Sequence, residues 1–178
     1  MIIRPFSEEF DDIKVSEGVF FEDDRGFLKK TIFGDDLIRL MGEVNEVICS
    51  TSRKNVIRGM HFQVPPFGVN KFIKCISGEI IDVFIDLRSE SKSFGRVGSM
   101  NLKQEDNYSL FIPEGFGHGY LALKDTSTVV YLQSKKFSKE HDFTINPFSI
   151  DFDWSVENSI ISEKDKSGIN FSEFNSIF

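Results

Sequence analysis

Short apolar runs rich in β-branched and aromatic residues fill the middle of the chain, and Gly, Pro, Asn and Asp separate them. This pattern has the two-residue period of strands and lacks the longer period of helices. Strands at regular intervals indicate a sandwich or a barrel. The sequence therefore predicts a mainly β fold, whose candidate strands are residues 56–63, 71–76, 80–87, 98–102, 109–112, 119–123 and 127–133.

Two of these strands are joined by a link with strong turn chemistry. Residues 71–76 and 80–87 flank Ser77-Gly78-Glu79, where Gly78 can take the positive φ that a tight turn needs. The sequence therefore predicts a hairpin. Residues 80–87 also alternate, so that aliphatic side chains share one face while Asp82 and Asp86 share the other. A carboxylate that faces inward would be unusual for packing alone.

Outside the strands, the pattern predicts one short helix and a tail. The helix covers residues 35–41, with an acidic cap at its start and Gly42 at its end. Residues 158–178, approximately, mix Ser, Asn, Lys and acids with isolated apolar residues, and we expect them to pack over the barrel. No linker or repeat divides the chain, so the prediction is one domain over residues 1–178.

Charge and composition exclude several classes of protein. The 178 residues include 21 Lys plus Arg and 28 Asp plus Glu, giving 21 − 28 = −7. An acidic chain without a basic cluster argues against nucleic-acid and membrane-surface partners, and favours small molecules. No apolar run approaches the roughly eighteen residues of a membrane span. The lone pair Cys49 and Cys75 forms no disulfide framework, which fits a cytoplasmic location.

The setting of His61 gives it two interpretations. Strand alternation puts His61 on the face opposite Met60 and Phe62, and this face could line the interior of a small barrel. The alternative is a hydrogen-bonded core or surface histidine. The nearby cations Arg58 and Lys71 favour the first interpretation.

The setting of His118 resembles half of a known signature. Pro113-Glu114-Gly115-Phe116-Gly117-His118 is similar to the PxGxxH segment of cupins. Metal-binding cupins carry further ligands, but Gln63 and Ala122 stand where a second His and an Asn would be. The incomplete ligand set predicts no metal cofactor and disfavours a metal-dependent cupin oxygenase.

Four other residues have an ordinary and a functional interpretation. Tyr131 could be strand packing or a proton donor that faces the barrel interior. Asp165 could be a solvated charge of the tail, or it could fold back to hold His61. Lys71 and Lys164 could be surface cations, or they could contact a phosphate or a developing oxyanion.

Taken in order, these segments closely resemble the nucleoside-diphosphate 4-keto-6-deoxysugar epimerases, the dTDP-4-dehydrorhamnose 3,5-epimerase family. The resemblance covers nearly the whole chain. It is carried by six ordered motifs, at residues 21–27, 58–63, 71, 82–88, 112–120 and 162–165.

The resemblance implies a cupin-type jelly-roll barrel that needs no cofactor, and a homodimer whose N-terminal strands pair across the interface. It implies that His61 removes a proton next to the ketone, that Tyr131 returns one from the opposite face, and that Asp165 orients His61. It further implies a set of substrate-binding residues: Arg25, Arg58, Lys71, His118, Phe137, Asp142 and Lys164.

Three positions depart from the family pattern and leave the substrate open. Lys30, Glu46 and Ile48 stand where relatives carry a Glu, a Gln and an Asn. The expected activity is inversion at C3, C5 or both of a dTDP-like 4-keto-6-deoxyhexose through an enolate. The alternative is a sugar-nucleotide-binding cupin without turnover, which would have abandoned the family substrate through these changes.

Overall fold

Two antiparallel sheets face each other and form the body of the protein. The computed structural model describes residues 1–178. The strands are β1 (Ile2–Pro5), β2 (Lys14–Glu17), β3 (Val19–Asp23), β4 (Gly26–Lys30), β5 (Glu46–Ser52), β6 (Ile57–Gln63), β7 (Lys71–Ser77), β8 (Glu79–Asp86), β9 (Val97–Lys103), β10 (Tyr108–Ile112), β11 (Phe116–Ala122), β12 (Ser127–Gln133) and β13 (Asp142–Thr144). The mainly β prediction is confirmed, and each predicted strand is present with bounds that differ by no more than three residues.

The strand order defines the two sheets. One has six strands in the order β1-β2-β10-β7-β12-β5, and the other has five in the order β13-β6-β11-β8-β9. Six strands were missed by the sequence pattern: β1, β2, β3, β4, β5 and β13. Most of them are short or lie at sheet edges, where solvent on more than one side weakens the alternation.

The hairpin predicted across Gly78 is wrong. β7 pairs with β10 and β12 in the six-stranded sheet, whereas β8 pairs with β9 and β11 in the five-stranded sheet. Gly78 does have a positive φ of 71°, but the turn carries the chain from one sheet to the other. Turn chemistry fixes the local reversal, and distant partner strands decide which sheet each arm joins.

The main core lies between the sheets. Its largest buried residues include Ile13, Ile73, Phe84, Leu110 and Tyr120. The outer face of the five-stranded sheet has a second core, formed by the aliphatic face of β8 and by residues that follow β13. The C-terminal residues packed against this second core are Phe152, Val156, Ile161, Phe171, Phe174 and Phe178.

Two short helices flank the sheets. α1 covers Gly34–Met41 and ends, as predicted, at Gly42, which has φ 71°. The predicted acidic cap is wrong, because the cap residue is Phe33 and no side chain caps the helix. Asp35 and Asp36 instead lie in the first turn, where their negative charges interact favourably with the positive end of the helix dipole.

The second helix belongs to the C-terminal region. α2 covers Glu163–Lys166, and the Ser162 hydroxyl accepts a hydrogen bond from the Asp165 backbone N–H. Two 3-10 turns lie at Pro147–Ser149 and Phe171–Glu173. None of the helices has the length and apolar character that crossing a bilayer would require.

β3 and β4 form a two-stranded sheet of their own. Four large apolar side chains of this hairpin are between 44% and 57% exposed: Phe20, Phe21, Phe27 and Leu28. An exposed apolar cluster of this kind marks a surface that is suited to a partner.

Candidate active site

Strands β6 and β11 lie side by side and carry the two candidate histidines. His61 on β6 is directly opposite His118 on β11, and the register shifts between His118 and Tyr120. The strands approach closely where Gly59 meets Gly119, since a Cβ on Gly59 would lie 2.4 Å from the Cα of Gly119. Only glycine fits this crossing, which keeps both histidines on the wall of one pocket.

His61 is paired with a carboxylate from the C-terminal region. Its Nε2 lies 2.8 Å from Oδ1 of Asp165, and the side chains are 36% and 5% exposed. The backbone N–H of Gly59 donates to the other carboxylate oxygen at 3.3 Å. Burial alone would raise the pKa of Asp165, but the hydrogen bond and charge of His61, with Gly59 and Ser162, outweigh it and lower this pKa. The pair therefore holds an ionised carboxylate behind a solvent-accessible imidazole.

His118 has a carboxylate partner too, but this pair is buried. Its Nε2 lies 2.8 Å from Oδ2 of Asp82, and the side chains are 4% and 0% exposed. Burial lowers the pKa of His118, and the Asp82 carboxylate only partly opposes this effect. Oδ1 of Asp82 is buried without a hydrogen-bond partner. The sequence pattern put Asp82 on the face of β8 opposite the aliphatic side chains, and in the structure Asp82 is fully buried beside His118.

The facing six-stranded sheet supplies a lysine and a tyrosine. Lys71 on β7 is buried, and its ammonium donates to the backbone carbonyl of His61 at 3.0 Å. Burial lowers the pKa of Lys71 to about 8, while the charges of Asp142 and Asp82 counteract this shift. At neutral pH, Lys71 is therefore a cation directed at the pocket.

Tyr131 on β12 is partly exposed and lines the same pocket. Its ring packs edge-on against His118, with ring centroids 5.7 Å apart. Although part of the side chain is exposed, desolvation of the phenol group raises the pKa of Tyr131 well above its usual value, Tyr120 and Asp82 raise it further, and Arg58 acts in the opposite direction. Tyr131 is thus a protonated phenol at neutral pH.

The pocket brings together most of the residues that the sequence predicted. It has a volume of about 240 Å³ and lies between the two sheets. Asp165 lies behind His61 and outside the lining. Arg25 lies at the tip of the β3–β4 hairpin, 90% exposed and paired with Asp23, away from this pocket. The predicted residues that line the pocket are Arg58, His61, Lys71, His118, Tyr131, Phe137, Asp142 and Lys164.

The mouth of the pocket is held by contacts between loops and strands. Phe137 is 56% exposed, and its backbone N–H donates to Oε2 of Glu46 at 2.9 Å. The Lys164 ammonium pairs with the Asp142 carboxylate. Glu46, which departs from the family pattern, therefore positions the loop that presents Phe137 to the pocket.

Two further departures have different locations. Ile48 lines the pocket, where an amide would have offered hydrogen bonds. Lys30 lies on the β3–β4 hairpin, with its ammonium 5.8 Å from the centroid of the Phe21 ring.

Several polar pocket residues were missed by the sequence reasoning. Tyr120 and Ser50 line the pocket, and Ser52 lies beside them. Strand alternation could have predicted Tyr120 as a pocket residue, because it lies two residues after His118 on the same strand and therefore on the same face. Ser50 and Ser52 belong to β5, a strand that the pattern did not predict.

The donor set does not resemble a metal centre. No group of three or more His, Cys, Asp and Glu side chains is placed to hold a metal ion. The two imidazoles each have a carboxylate partner, and the one carboxylate in the pocket lining, Asp142, is paired with the Lys164 ammonium.

A pocket with a histidine on one wall and a tyrosine on the other can present a base and an acid to one substrate. The comparisons with known proteins identify the family. The profile of the dTDP-4-dehydrorhamnose 3,5-epimerase family matches residues 7–173. The chain belongs to this family, as the sequence motifs predicted.

Individual relatives agree with this assignment. The chain is 34% identical over 168 residues to dTDP-4-dehydrorhamnose 3,5-epimerase from Shigella flexneri, covering 92% of this chain and 93% of the relative. The crystal structure of dTDP-4-dehydrorhamnose 3,5-epimerase from Sulfolobus tokodaii is similar at a TM-score of 0.90 and 31% identity, covering 98% and 97% of the two chains.

A third relative is described by another activity. ChmJ, a 3'-monoepimerase from Streptomyces bikiniensis in complex with dTDP-quinovose, is similar at a TM-score of 0.86 and 26% identity, covering 96% of this chain and 88% of ChmJ. The similarity to these solved structures confirms the predicted cupin-type fold.

Proposed function

We propose that the protein epimerises a dTDP-linked 4-keto-6-deoxyhexose at C3, C5 or both, by proton transfer through an enolate. The observation that carries this proposal is the placement of His61 and Tyr131 on opposite sheets of one pocket. Inversion of a carbon centre requires that a proton leave from one face and return to the other, so two groups on facing walls suit it.

His61 is the general base. The carboxylate of Asp165 accepts a hydrogen bond from the ring nitrogen that faces it, which leaves the other nitrogen free to take the substrate proton. An ionised Asp165 also stabilises the imidazolium that forms, and its own backbone N–H bond to Ser162 holds it in place.

Lys71 and His118 stabilise the enolate oxygen. A proton next to a ketone is weakly acidic, so the site must offer positive charge or hydrogen bonds where oxyanion charge develops. Lys71 supplies a buried cation beside His61, and His118 supplies a buried neutral imidazole held by Asp82. A low-dielectric pocket makes these contacts stronger than they would be in water.

Tyr131 returns the proton. A phenol with a raised pKa keeps its proton at neutral pH, so Tyr131 is loaded as an acid before the enolate forms. Its position on β12, across the pocket from β6, lets it approach the face of the sugar that His61 does not reach.

The nucleotide is bound at the mouth of the pocket. The exposed ring of Phe137 offers a stacking surface for a base, and Arg58, Lys164 and Asp142 offer polar contacts. The names of the Shigella and Sulfolobus relatives support a dTDP sugar, and the name of ChmJ leaves inversion at one centre as an alternative outcome.

The protein acts as a cytoplasmic homodimer in this proposal. The exposed apolar side chains of the β3–β4 hairpin would be covered by a second copy, and Arg25 at its tip would then reach the partner's substrate. Two free cysteines are compatible with a reducing compartment. Light scattering on the purified protein measures the assembly: twice the 20.4 kDa chain mass supports the dimer, and a monomer contradicts it.

Proton NMR in deuterated water tests the activity. Nucleoside-diphosphate 4-keto-6-deoxysugars with different bases are incubated with the enzyme, and exchange at C3 and C5 is followed separately. Exchange and inversion with the dTDP sugar support the proposal and report the number of centres. Tight binding of the same sugars with no exchange at either carbon would overturn it in favour of the non-catalytic binding protein.

A further inference from the structure

Two glutamines line the active-site pocket, and the protein uses only one of them for its own structure. Gln63 is 5% exposed, and its amide donates to the carbonyls of Phe67 and Lys136 at 2.9 and 3.3 Å. Its amide oxygen accepts from the backbone N–H of Ser138 at 2.6 Å. Gln133 is partly buried, and its side-chain amide makes no hydrogen bond to the protein. Gln133 therefore has donors and an acceptor free for a ligand.

Gln133 lies beside the groups that carry the proposed chemistry. It is the last residue of β12, two positions after Tyr131, so both side chains point to the same face of the sheet. On the neighbouring strand β7, its register partner is Lys71. Side chains of register partners share a face and have Cβ atoms about 5 Å apart. The amide of Gln133 thus adjoins the proposed acid and the cation assigned to the enolate oxygen.

The chemistry of an amide favours a hydroxyl group among the polar groups of the substrate. An amide offers both donors and an acceptor, and a hydroxyl group uses both. A diphosphate oxygen only accepts, and the exposed cations Arg58 and Lys164 are better suited to its charge. The ketone oxygen also only accepts, and Lys71 and His118 are already assigned to it.

The carbon skeleton of the proposed substrate limits this hydroxyl to two positions. In a 4-keto-6-deoxyhexose attached to a nucleotide, C1 carries the diphosphate, C4 is the ketone, C5 carries the ring oxygen and C6 is a methyl group. Hydroxyl groups therefore remain at C2 and C3 only. C3 is bonded to the ketone carbon and C2 follows it, so both hydroxyls lie within a few bonds of the oxygen that Lys71 stabilises.

We propose that Gln133 determines specificity for the sugar, through hydrogen bonds between its amide and the hydroxyl group at C2 or C3. This inference rests on the proposed function, because that function supplies the sugar. An enzyme that binds a substrate hydroxyl in this way rejects an analogue without it, since the enzyme's polar group is then left unpaired. The expected contribution is about tenfold in kcat/KM, the range for one neutral hydrogen bond.

Three sugars test the inference. They are the dTDP-linked 4-keto-6-deoxyhexose with both hydroxyls, its 2-deoxy counterpart and its 3-deoxy counterpart. All three carry hydrogen at C3 and C5, so solvent-deuterium exchange next to the ketone can be followed by NMR for each. Rates at low substrate concentration give kcat/KM.

Gln133→Met separates the proposed contact from the intrinsic reactivity of the sugars. The substitution keeps the length of the side chain and removes its hydrogen bonds. We expect kcat/KM to fall about tenfold with the complete sugar and to stay unchanged with the deoxy sugar that lacks the contacted hydroxyl. The unaffected sugar assigns the hydroxyl to C2 or C3. Gln133→Thr, which suits a strand and cannot reach as far, gives the same pattern if Gln133→Met folds poorly.

The other glutamines are matched controls. Gln104 is also partly buried, its side-chain amide makes no hydrogen bond, and it lies outside the active-site pocket. Gln104→Met should leave kcat/KM unchanged for all three sugars. Gln63→Met removes the bonds to Lys136 and Ser138, which flank Phe137. It should lower kcat/KM by a similar factor for all three sugars, because its effect does not depend on a sugar hydroxyl.

The outcomes separate this inference from the proposed function. A wild-type enzyme that exchanges none of the sugars contradicts the proposed function, and the inference with it. With an active wild type, an equal loss by Gln133→Met on all three sugars overturns the inference alone. Calorimetry with dTDP then shows whether Gln133 contacts the diphosphate, which weakens binding, or has a structural role, which does not. Unchanged kcat/KM for all three sugars also overturns the inference.

Discussion

The protein contains two histidine–carboxylate pairs that are chemically alike and differently placed. His61–Asp165 and His118–Asp82 both have a nitrogen–oxygen distance of 2.8 Å, and the two histidines face each other on neighbouring strands. The His61 side chain is 36% exposed, whereas that of His118 is 4% exposed. Pairing alone therefore does not define a base, because access to the substrate separates the two imidazoles.

The carboxylates of the two pairs also differ, in the number of hydrogen bonds that they accept. Asp165 is reached by hydrogen bonds from His61 and from the Gly59 backbone, and its pKa is lowered against the effect of burial. Asp82 has one oxygen on His118 and one without a partner. The His61–Asp165 pair is therefore suited to a histidine that is protonated and deprotonated in each cycle. The His118–Asp82 pair is suited to a histidine that stays neutral.

The largest effect is expected from changing one histidine at a time. His61→Asn should lower the rate of epimerised product by about a thousandfold, the range for losing a general base. His118→Asn keeps a donor beside the enolate and should lose about tenfold. Product formation by NMR, with thermal melting of each variant, measures this contrast.

His141→Asn is the control for that experiment. The His141 ring packs on Phe67 and its Nδ1 pairs with the Ser138 hydroxyl, outside the pocket lining. We expect wild-type activity. Equal losses for His61→Asn and His118→Asn would erase the distinction between the two pairs.

Lys71 contacts the backbone carbonyl of His61 and should give the next largest effect. Lys71→Met removes the cation at similar length and should lower kcat by about a hundredfold, as for an oxyanion donor. Since the pKa of Lys71 is about 8, the wild-type rate should fall as the pH rises through 8 and the cation is lost. A pH–rate profile between pH 6 and 10 checks this limb.

Lys74→Met is an unusually close control for Lys71→Met. Lys74 is also buried with a pKa of about 8, but its ammonium donates to the carbonyls of Asp106 and Tyr108, outside the active-site pocket. Its loss should leave the alkaline limb in place. An unchanged alkaline limb in Lys71→Met would assign that limb to another group.

The carboxylates allow a finer comparison. Asp165→Asn should lower kcat about tenfold to a hundredfold with little change in KM, the range for losing a group that orients a ligand or base. Asp82→Asn keeps the hydrogen bond to His118 and should lose less. Steady-state kinetics on both variants decide the order, and a larger loss for Asp82→Asn would contradict the account.

The smallest effect concerns stability and pH. Burial lowers the pKa of His118 below the ordinary 6.5, so as the pH falls below about 6.5 the unfolded chain gains a proton before the folded one does. This preferential protonation of the unfolded chain destabilises the fold on acidification. The His118→Asn variant lacks it, because it has no imidazole at this position. Urea unfolding at pH 7.5 and 5.5 should therefore show a smaller loss in the variant, and an equal loss would indicate a charged His118.

The comparison also explains how far the sequence could predict the site. The alternation in β8 put Asp82 on the face opposite the aliphatic side chains, because side-chain direction along a strand is a local property. The predicted hairpin across Gly78 failed, because sheet membership depends on β10, β11 and β12. The family motifs named both histidines, and they could not tell which imidazole is exposed.

Residues that depend on distant contacts were the hardest to predict. Tyr120 and Ser52 meet across 68 residues of sequence, and no local pattern joins them. Arg25 was predicted as a substrate contact, and it lies on an exposed hairpin outside the pocket lining. Local periodicity determines which way a side chain points, and the assembled sheets determine what it meets.

Solvent-deuterium exchange at the substrate carbons tests the central claim most directly, because it reports proton removal without product release. Wild type, His61→Asn and His118→Asn are incubated with the dTDP-4-keto-6-deoxysugar in deuterated water. We predict exchange with the wild type and His118→Asn, and none above background with His61→Asn. Undiminished exchange by a folded His61→Asn would contradict the assignment of the base.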